Sequence, residues 1–184
     1  MKNDSLVAGI VTKDNYLAEK DFVFLRDIIV SKEFAWFFNS TIVEESEPKL
    51  SPGQFVHTAY IDNAPNSQLF YSLVPILDQL EIFSLLRIKI NLRLRVSEPF
   101  YSHFHTDIQN EGLDEDIAAQ WTTSIFYINT NNGYTEFKDG TIVESVANRL
   151  VSFPSTIKHR GVSQTDEQTR IVMNFNYLKP KGIS

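Results

Sequence analysis

Arg170-Ile171-Val172-Met173-Asn174-Phe175-Asn176-Tyr177 is the stretch that decides the fold. In an extended chain successive side chains point to opposite faces, so Arg170, Val172, Asn174 and Asn176 share one face and Ile171, Met173, Phe175 and Tyr177 the other. With Arg170 pointing into a site, the second face is strongly apolar and has to be covered. The same period of two appears upstream, where Ile88, Ile90, Leu92, Leu94 and Val96 alternate with Lys89, Asn91, Arg93 and Arg95. That segment is also a strand with one apolar face. Its basic face suits an anionic substrate or a carboxylate, and equally a solvated strand surface.

The cover is found in the first part of the chain. Phe22, Leu25, Ile28 and Ile29 recur at helical spacing between about Ala18 and Val30, and Leu69, Leu73, Leu77 and Leu80 form a second stripe. Pro75 falls inside the second stripe, so that helix kinks or begins anew there. Ser46-Glu47-Pro48-Lys49-Leu50-Ser51-Pro52-Gly53 reads as loop. Asn131-Asn132-Gly133 reads as a tight connection between a strand carrying Tyr127 and one carrying Phe137, because Asn and Gly tolerate left-handed backbone. Many short strands with one covered sheet predict a mainly β fold with N-terminal helices: a cupin-like jelly roll, or double-stranded β-helix, with the helices packed on the major sheet. The 184 residues suit a single domain, with about 1–85 as helical support and about 86–178 as the β core.

Composition excludes some functions. A net charge of −6 argues against general nucleic-acid binding. No cysteine is present, so there is neither a disulfide framework nor thiolate chemistry. The first residues show no long apolar run, and the expectation is a cytoplasmic protein without a membrane anchor.

The chemistry concentrates in His105-Thr106-Asp107, the later His159, and Arg170 eleven positions beyond it. Two imidazoles and a carboxylate on one face of a metal form the donor set of non-haem Fe(II) sites, which leave other coordination positions open. On a strand, His105 and Asp107 at i and i+2 project to one side and can grip one ion, with His159 arriving from a distant strand. Arg170 offers a rigid, permanently charged fork for a carboxylate. A five-carbon 2-oxo diacid fits this layout, its oxo acid on the iron and its far carboxylate on Arg170. Other residues carry plainer readings. His103 shares the parity of His105 and Asp107, but the glutamate of a cupin site does not follow at the required interval. His57 has no partner pattern and reads as a surface or core imidazole. Ile108 to Ile117, acidic and with one glycine, is either a lid over the metal or a solubilising loop.

With these residues the chain resembles the 2-oxoglutarate/Fe(II)-dependent dioxygenases, in particular their prolyl-4-hydroxylase-like branch of bacteria and phages. The resemblance covers about residues 86 to 178. It rests on His105-Thr106-Asp107, Ser124 to Asn129, Asn132 to Phe137, Asn148 to Pro154, and His159 to Arg170. It implies that His105, Asp107 and His159 bind Fe(II), that Arg170 binds the distal carboxylate of 2-oxoglutarate, and that Tyr127 places its hydroxyl against that same carboxylate; a core aromatic is the other reading of Tyr127. The interval from His159 to Arg170 is slightly longer than in animal prolyl hydroxylases, which implies a small insertion in the intervening turn. The implied reaction consumes 2-oxoglutarate and dioxygen, releases succinate and carbon dioxide and hydroxylates an unactivated C–H bond, with ascorbate keeping the iron ferrous. Peptidyl proline is the substrate implied by the branch; a free amino acid or other small metabolite is the alternative. A β-barrel that binds metal or 2-oxoglutarate without turnover is the non-enzymatic alternative.

Overall fold

The structure is a computed structural model, and the residues it describes are 5–7, 9–40, 52–108 and 115–180. Most of Ser46 to Gly53 and of the acidic segment 108–117 lies outside them. The elements in chain order are β1 (Ser5–Val7), β2 (Ile10–Lys13), α1 (Glu19–Ile29), β3 (Phe37–Asn39), β4 (Gln54–Ile61), β5 (Ala64–Pro65), α2 (Leu69–Ser72), α3 (Val74–Leu80), β6 (Ser84–Leu94), α4 (Glu115–Ala118), β7 (Trp121–Tyr127), β8 (Tyr134–Phe137), β9 (Ile142–Glu144), β10 (Arg149–Pro154), β11 (His159–Val162) and β12 (Thr169–Leu178).

The strands form two antiparallel sheets. The major sheet runs β1-β2-β10-β7-β12-β6-β4-β3, with β5 beside β4, and the minor one runs β11-β8-β9. Both strands read from alternation are present and are neighbours, β12 pairing with β6 so that Arg170 faces Arg93 and Asn174 faces Lys89.

The apolar face of β12 is covered as the sequence requires. Ile171, Met173, Phe175 and Tyr177 pack with Ile88 and Ile90 of β6 against Phe22, Leu25 and Ile29 of α1 and Leu69, Leu73, Ile76 and Leu80 around α2 and α3. Burying each such side chain fully is worth about 1.5–3 kcal/mol, so this layer dominates the fold's stability. The second helical stripe does begin anew: α2 stops at Ser72 and Pro75 sits in the first turn of α3, where its missing N–H costs nothing. A second, smaller core of Ile125, Tyr127, Val151, Phe153, Phe137, Val143 and Val172 lies between the two sheets.

The first 85 residues are more than helical support. They also supply β1 to β5, including β4, which pairs with β6 in the major sheet. Short Ile, Val and Thr runs fit a pleated surface, and Gly9, just before β2, adopts φ +83. Among the described residues no helix is long and apolar enough to cross a membrane.

Candidate active site

The polar face of β6 and β12 is buried or half-buried along its length. It floors a cavity of about 400 Å³, within the usual range for small-molecule sites. Arg87, Lys89, Asn91 and Arg93 of β6 and Arg170, Val172 and Asn174 of β12 line it, together with His105, Asp107, Thr135 and His159.

At one end the three expected donors meet. Among the described residues His105, Asp107 and His159 are the group able to hold a metal, their ligand atoms all lying within 4.8 Å of one another. Asp107 Oδ1 is 3.7 Å from His105 Nε2 and 3.9 Å from His159 Nε2. An ion with bonds of about 2 Å needs only a small contraction of this triangle.

The hydrogen bonds leave the right atoms facing inward. His105 Nδ1 donates to the His103 carbonyl at 3.1 Å and His159 Nδ1 to the Ile157 carbonyl at 3.3 Å, which leaves each Nε2 lone pair for a metal. The His159 ring is wedged edge-on against Phe153, at 4.8 Å between centroids. Asp107 Oδ2 accepts a hydrogen bond from Asn176 Nδ2 at 3.2 Å, so Oδ1 is the oxygen offered to an ion. Asn176 is fully buried and its Oδ1 accepts from both Nε and Nη2 of Arg87, so Arg87, Asn176 and Asp107 form one chain. Burial alone would raise the Asp107 pKa, but the two imidazoles and Arg87 outweigh it and hold the carboxyl well below its ordinary range. Burial lowers the His159 pKa against the pull of Asp107. A charged carboxylate and a neutral imidazole are the forms that bind metal.

The H-x-D segment is not the regular strand that parity assumes. Residues 95–108 make isolated bridges at Tyr101 with Val162 and at His105 with His159, and Asp107 lies in a bend. His159 is the first residue of β11, as expected. His103 is exposed and stands outside the metal group. His57 is structural: Nδ1 donates to the Ala35 carbonyl at 2.8 Å and Nε2 accepts from the Ser67 hydroxyl at 2.7 Å.

At the other end Arg170 is 3% exposed. Its Nε donates to Ser145 Oγ at 2.8 Å and its Nη2 to Thr135 Oγ1 at 3.3 Å. No described carboxylate lies within salt-bridge distance of it. Burial pulls its pKa down from the ordinary arginine value, yet a guanidinium does not give up its proton at neutral pH. A buried cation with two hydroxyls and an aromatic ring beside it, but no described carboxylate, is costly until an anion meets it. Room for it is made by Gly133, where a Cβ would stand 2.8 Å from Arg170 Cδ and 2.9 Å from the Val162 carbonyl oxygen. Arg93, directly opposite on β6, is also buried and donates Nη1 to the Gly161 carbonyl at 3.1 Å. Two like charges in register repel unless an anion lies between them.

Tyr127 reaches the neighbourhood of Arg170 from the inter-sheet core. It is fully buried among the inter-sheet core and does not line the cavity; its hydroxyl donates to Thr135 Oγ1 at 2.8 Å, and Arg170 lies 5.7 Å above its ring. Thr135 is the hydroxyl that reaches the cavity wall, and no local sequence pattern marks it. Arg160 is engaged elsewhere, 2.8 Å from Glu136 and stacked over Tyr101 and Phe104. Asn176 shares the strand face of Arg170, and Arg87 continues the basic face of β6, but neither is singled out by the sequence. The turn between β11 and β12 is tied down by Asn132, whose backbone N–H donates to Asp166 and whose Oδ1 accepts from the Thr165 N–H at 2.8 Å.

The same architecture occurs in solved structures. A prolyl-4-hydroxylase from Pseudomonas putida superposes with TM-score 0.62 and 14% identity over 93% of each chain. The fold is that of the 2-oxoglutarate/Fe(II) oxygenases. SnoK, a non-haem α-ketoglutarate-dependent carbocyclase of nogalamycin biosynthesis, matches with TM-score 0.65 and 13% identity over 93% of this chain and 79% of its own. HygX from Streptomyces hygroscopicus, solved with nickel, 2-oxoglutarate and hygromycin B, matches with TM-score 0.59 and 10% identity over 93% of this chain and 83% of its own. No protein-family model matches the sequence, and no curated protein matches it. At such identities the likeness is one of fold, and the chemistry has to be argued from the residues.

Proposed function

We propose that the protein is a cytoplasmic Fe(II)- and 2-oxoglutarate-dependent dioxygenase that hydroxylates a C–H bond. One observation carries this: a single cavity holds three metal donors with their lone pairs turned inward and, at its other end, a buried arginine that meets no described carboxylate. Both features fit the groups the resemblance implies, a divalent metal for the first and a dicarboxylate for the second. SnoK and HygX place the same fold around such chemistry, and HygX binds a metal and 2-oxoglutarate together.

In this assignment His105 Nε2, His159 Nε2 and Asp107 Oδ1 hold the iron. Arg170 and the Thr135 hydroxyl hold the distal carboxylate. Tyr127 positions Thr135 through its hydrogen bond, and because burial raises its pKa the phenol keeps the proton it donates. Ser145 fixes the Arg170 fork through Nε. When bound, iron and 2-oxoglutarate supply the oxidation: one atom of dioxygen ends in succinate as carbon dioxide leaves, and the other enters the substrate C–H bond to give an alcohol. Ascorbate would serve only to keep the iron ferrous.

Prolyl hydroxylation is one of several activities among the similar structures, beside carbocyclisation. A prolyl ring calls for an apolar cradle. The described lining offers only Ile125 and Val172 as aliphatic side chains and no Phe, Tyr or Trp. The small-metabolite alternative therefore suits this cavity better than a peptidyl proline.

Incubation with Fe(II), 2-oxoglutarate and ascorbate in air should release succinate above the level of an Asp107→Ala control, even without a prime substrate. Equal succinate from both proteins would remove the oxygenase assignment and favour a barrel that binds without turnover.

A further inference from the structure

We propose that Arg160 is a positioning residue of the metal site: from the outer face of the minor sheet it clamps the chain that carries His105 and Asp107 onto β11. The inference rests on the assignment of His105, Asp107 and His159 as the metal site and goes beyond it by naming what holds two of the three donors in place.

The need for a clamp comes from the backbone. His159 lies on β11, which β8 holds along its whole length. His105 and Asp107 lie on a segment that forms no strand and meets β11 at two isolated bridges, Tyr101 with Val162 and His105 with His159. At the second bridge each backbone N–H donates to the other residue's carbonyl, at 2.9 and 3.0 Å. Asp107 is already two residues past that bridge, in a bend. Ligand groups have to stay within about 0.5 Å of their working geometry, which two bridges in a segment broken by Pro99 do not guarantee.

Side chains on the outer face supply what the backbone lacks. Neighbours along an extended chain face opposite ways, so Phe104 and Arg160 turn outward where His105 and His159 turn into the cavity. Inside, the two imidazoles lie 4.8 Å apart between ring centroids. Outside, the Arg160 guanidinium sits 4.3 Å from the Phe104 ring and 4.9 Å from the Tyr101 ring. Its Nε donates to Glu136 Oε2 at 2.8 Å, and Glu136 is the residue directly opposite on β8. The Lys138 ammonium, just beyond the end of β8, lies 4.9 Å from the Phe104 ring. One planar cation therefore joins three pieces of chain: β8 through the ion pair, β11 through its own backbone, and the metal-bearing segment through two rings. A guanidinium suits the task because it stacks through its faces while it hydrogen-bonds through its edge. The side chains of Arg160 and Glu136 are only 24% and 20% exposed, which sets this pair apart from an ordinary solvated one.

The test measures the Fe(II) affinity of the full chain under nitrogen, by competition with a chelator of known strength. Arg160→Met should weaken Fe(II) binding about tenfold, the lower end of what supporting residues of metal sites contribute. Arg160→Lys should recover little of the loss, because an ammonium cannot lie flat against two rings while it meets Glu136. Phe104→Leu, which keeps the ion pair, should lose a similar amount and carries the test if Arg160→Met does not fold. The double variant should bind little worse than either single one, the mark of a shared clamp. Asp14→Ala, which breaks the ion pair with Arg149, controls for lost stability alone and should bind Fe(II) as wild type does. Wild-type affinity in Arg160→Met, full recovery in Arg160→Lys, or losses that add in the double variant would overturn the inference and leave the metal assignment standing. A wild-type chain that binds no Fe(II) would remove both.

Discussion

At the arginine end of the cavity every supporting group sits on or beside a regular strand, whereas at the metal end two of the three donors come from residues 95–108, which bridge to the sheets only at Tyr101 and His105. Arg170 is the second residue of β12, is in register with Arg93, and donates its hydrogen bonds to the Ser145 and Thr135 hydroxyls within a closed interior. The metal end instead relies on a few tethers: two Nδ1 bonds to backbone carbonyls and the chain Arg87–Asn176–Asp107. The difference follows from what each ligand contributes. An ion would supply its own ordering, since three short bonds would fix donors that start within 4.8 Å of one another. A carboxylate at the end of a flexible diacid supplies little, so its receptor has to be preformed.

If the two ends are separable in this way, single substitutions should act on one and spare the other. The largest effect is expected for Asp107→Ala, which removes a direct ligand and should cost more than about 100-fold in iron affinity, beyond what losing a supporting residue does. Iron retention after gel filtration, measured by metal analysis, checks this, and full retention would show that the triad is not the iron site. Arg170→Ala comes next. Losing a charge-assisted pair in a buried site costs about 2–5 kcal/mol, roughly 30-fold or more in the 2-oxoglutarate requirement, with metal content unchanged. Unaltered 2-oxoglutarate affinity would move the role to Arg93, the buried cation opposite.

Much of the arginine end was legible in the sequence because it obeys strand alternation. Arg170 and Asn176 share a face, the opposite face is apolar, and the helices that cover it show their stripes with Pro75 as a visible break. The three candidate donors were singled out by residue type and spacing and do come together, yet the strand assumed under His105 and Asp107 was not there. Pro99 and the Ser-Glu before it interrupt the alternation, and a proline cannot donate to a ladder. What remained hidden is set by contacts between segments far apart in the chain: Thr135 coming between Tyr127 and the cavity, Ser145 bracing Arg170, and Gly133 giving way to it. The N-terminal strands were masked by the stronger helical stripes beside them.

Asn176→Ala crosses between the two ends, because Asn176 sits on the regular β12 but bonds Asp107 in the irregular segment. Losing its bond to Asp107 should weaken iron binding about tenfold or more, the usual cost of an outer-shell partner, while the 2-oxoglutarate requirement of the iron-loaded protein stays near wild type. A competition titration against a chelator of known affinity reads it.

The smallest effect belongs outside the cavity. Asp14 forms a two-pronged ion pair with Arg149 at the start of β10, and its pKa is lowered chiefly by that hydrogen bond. A depressed carboxylate stabilises the fold above its unfolded-state pKa and loses that contribution as pH falls through the folded value. Partly exposed as it is, the pair is worth about 1 kcal/mol or less. Asp14→Ala should therefore lower stability by about that much at pH 7, with the gap to wild type closing in urea titrations as pH drops below 3.8, the ordinary carboxylate value. Iron and 2-oxoglutarate binding should not change.

An anaerobic spectroscopic titration reads iron and 2-oxoglutarate in one site, following the visible charge-transfer absorption that appears when a 2-oxo acid chelates protein-bound Fe(II). The wild-type protein should develop the band with one Fe(II) per chain and saturate with 2-oxoglutarate. Asp107→Ala should not develop it, and Arg170→Ala should develop the same band only at roughly 30-fold or more 2-oxoglutarate. A wild-type protein that binds Fe(II) but gives no band at any 2-oxoglutarate concentration, or an Arg170→Ala curve that overlays wild type, would contradict the account.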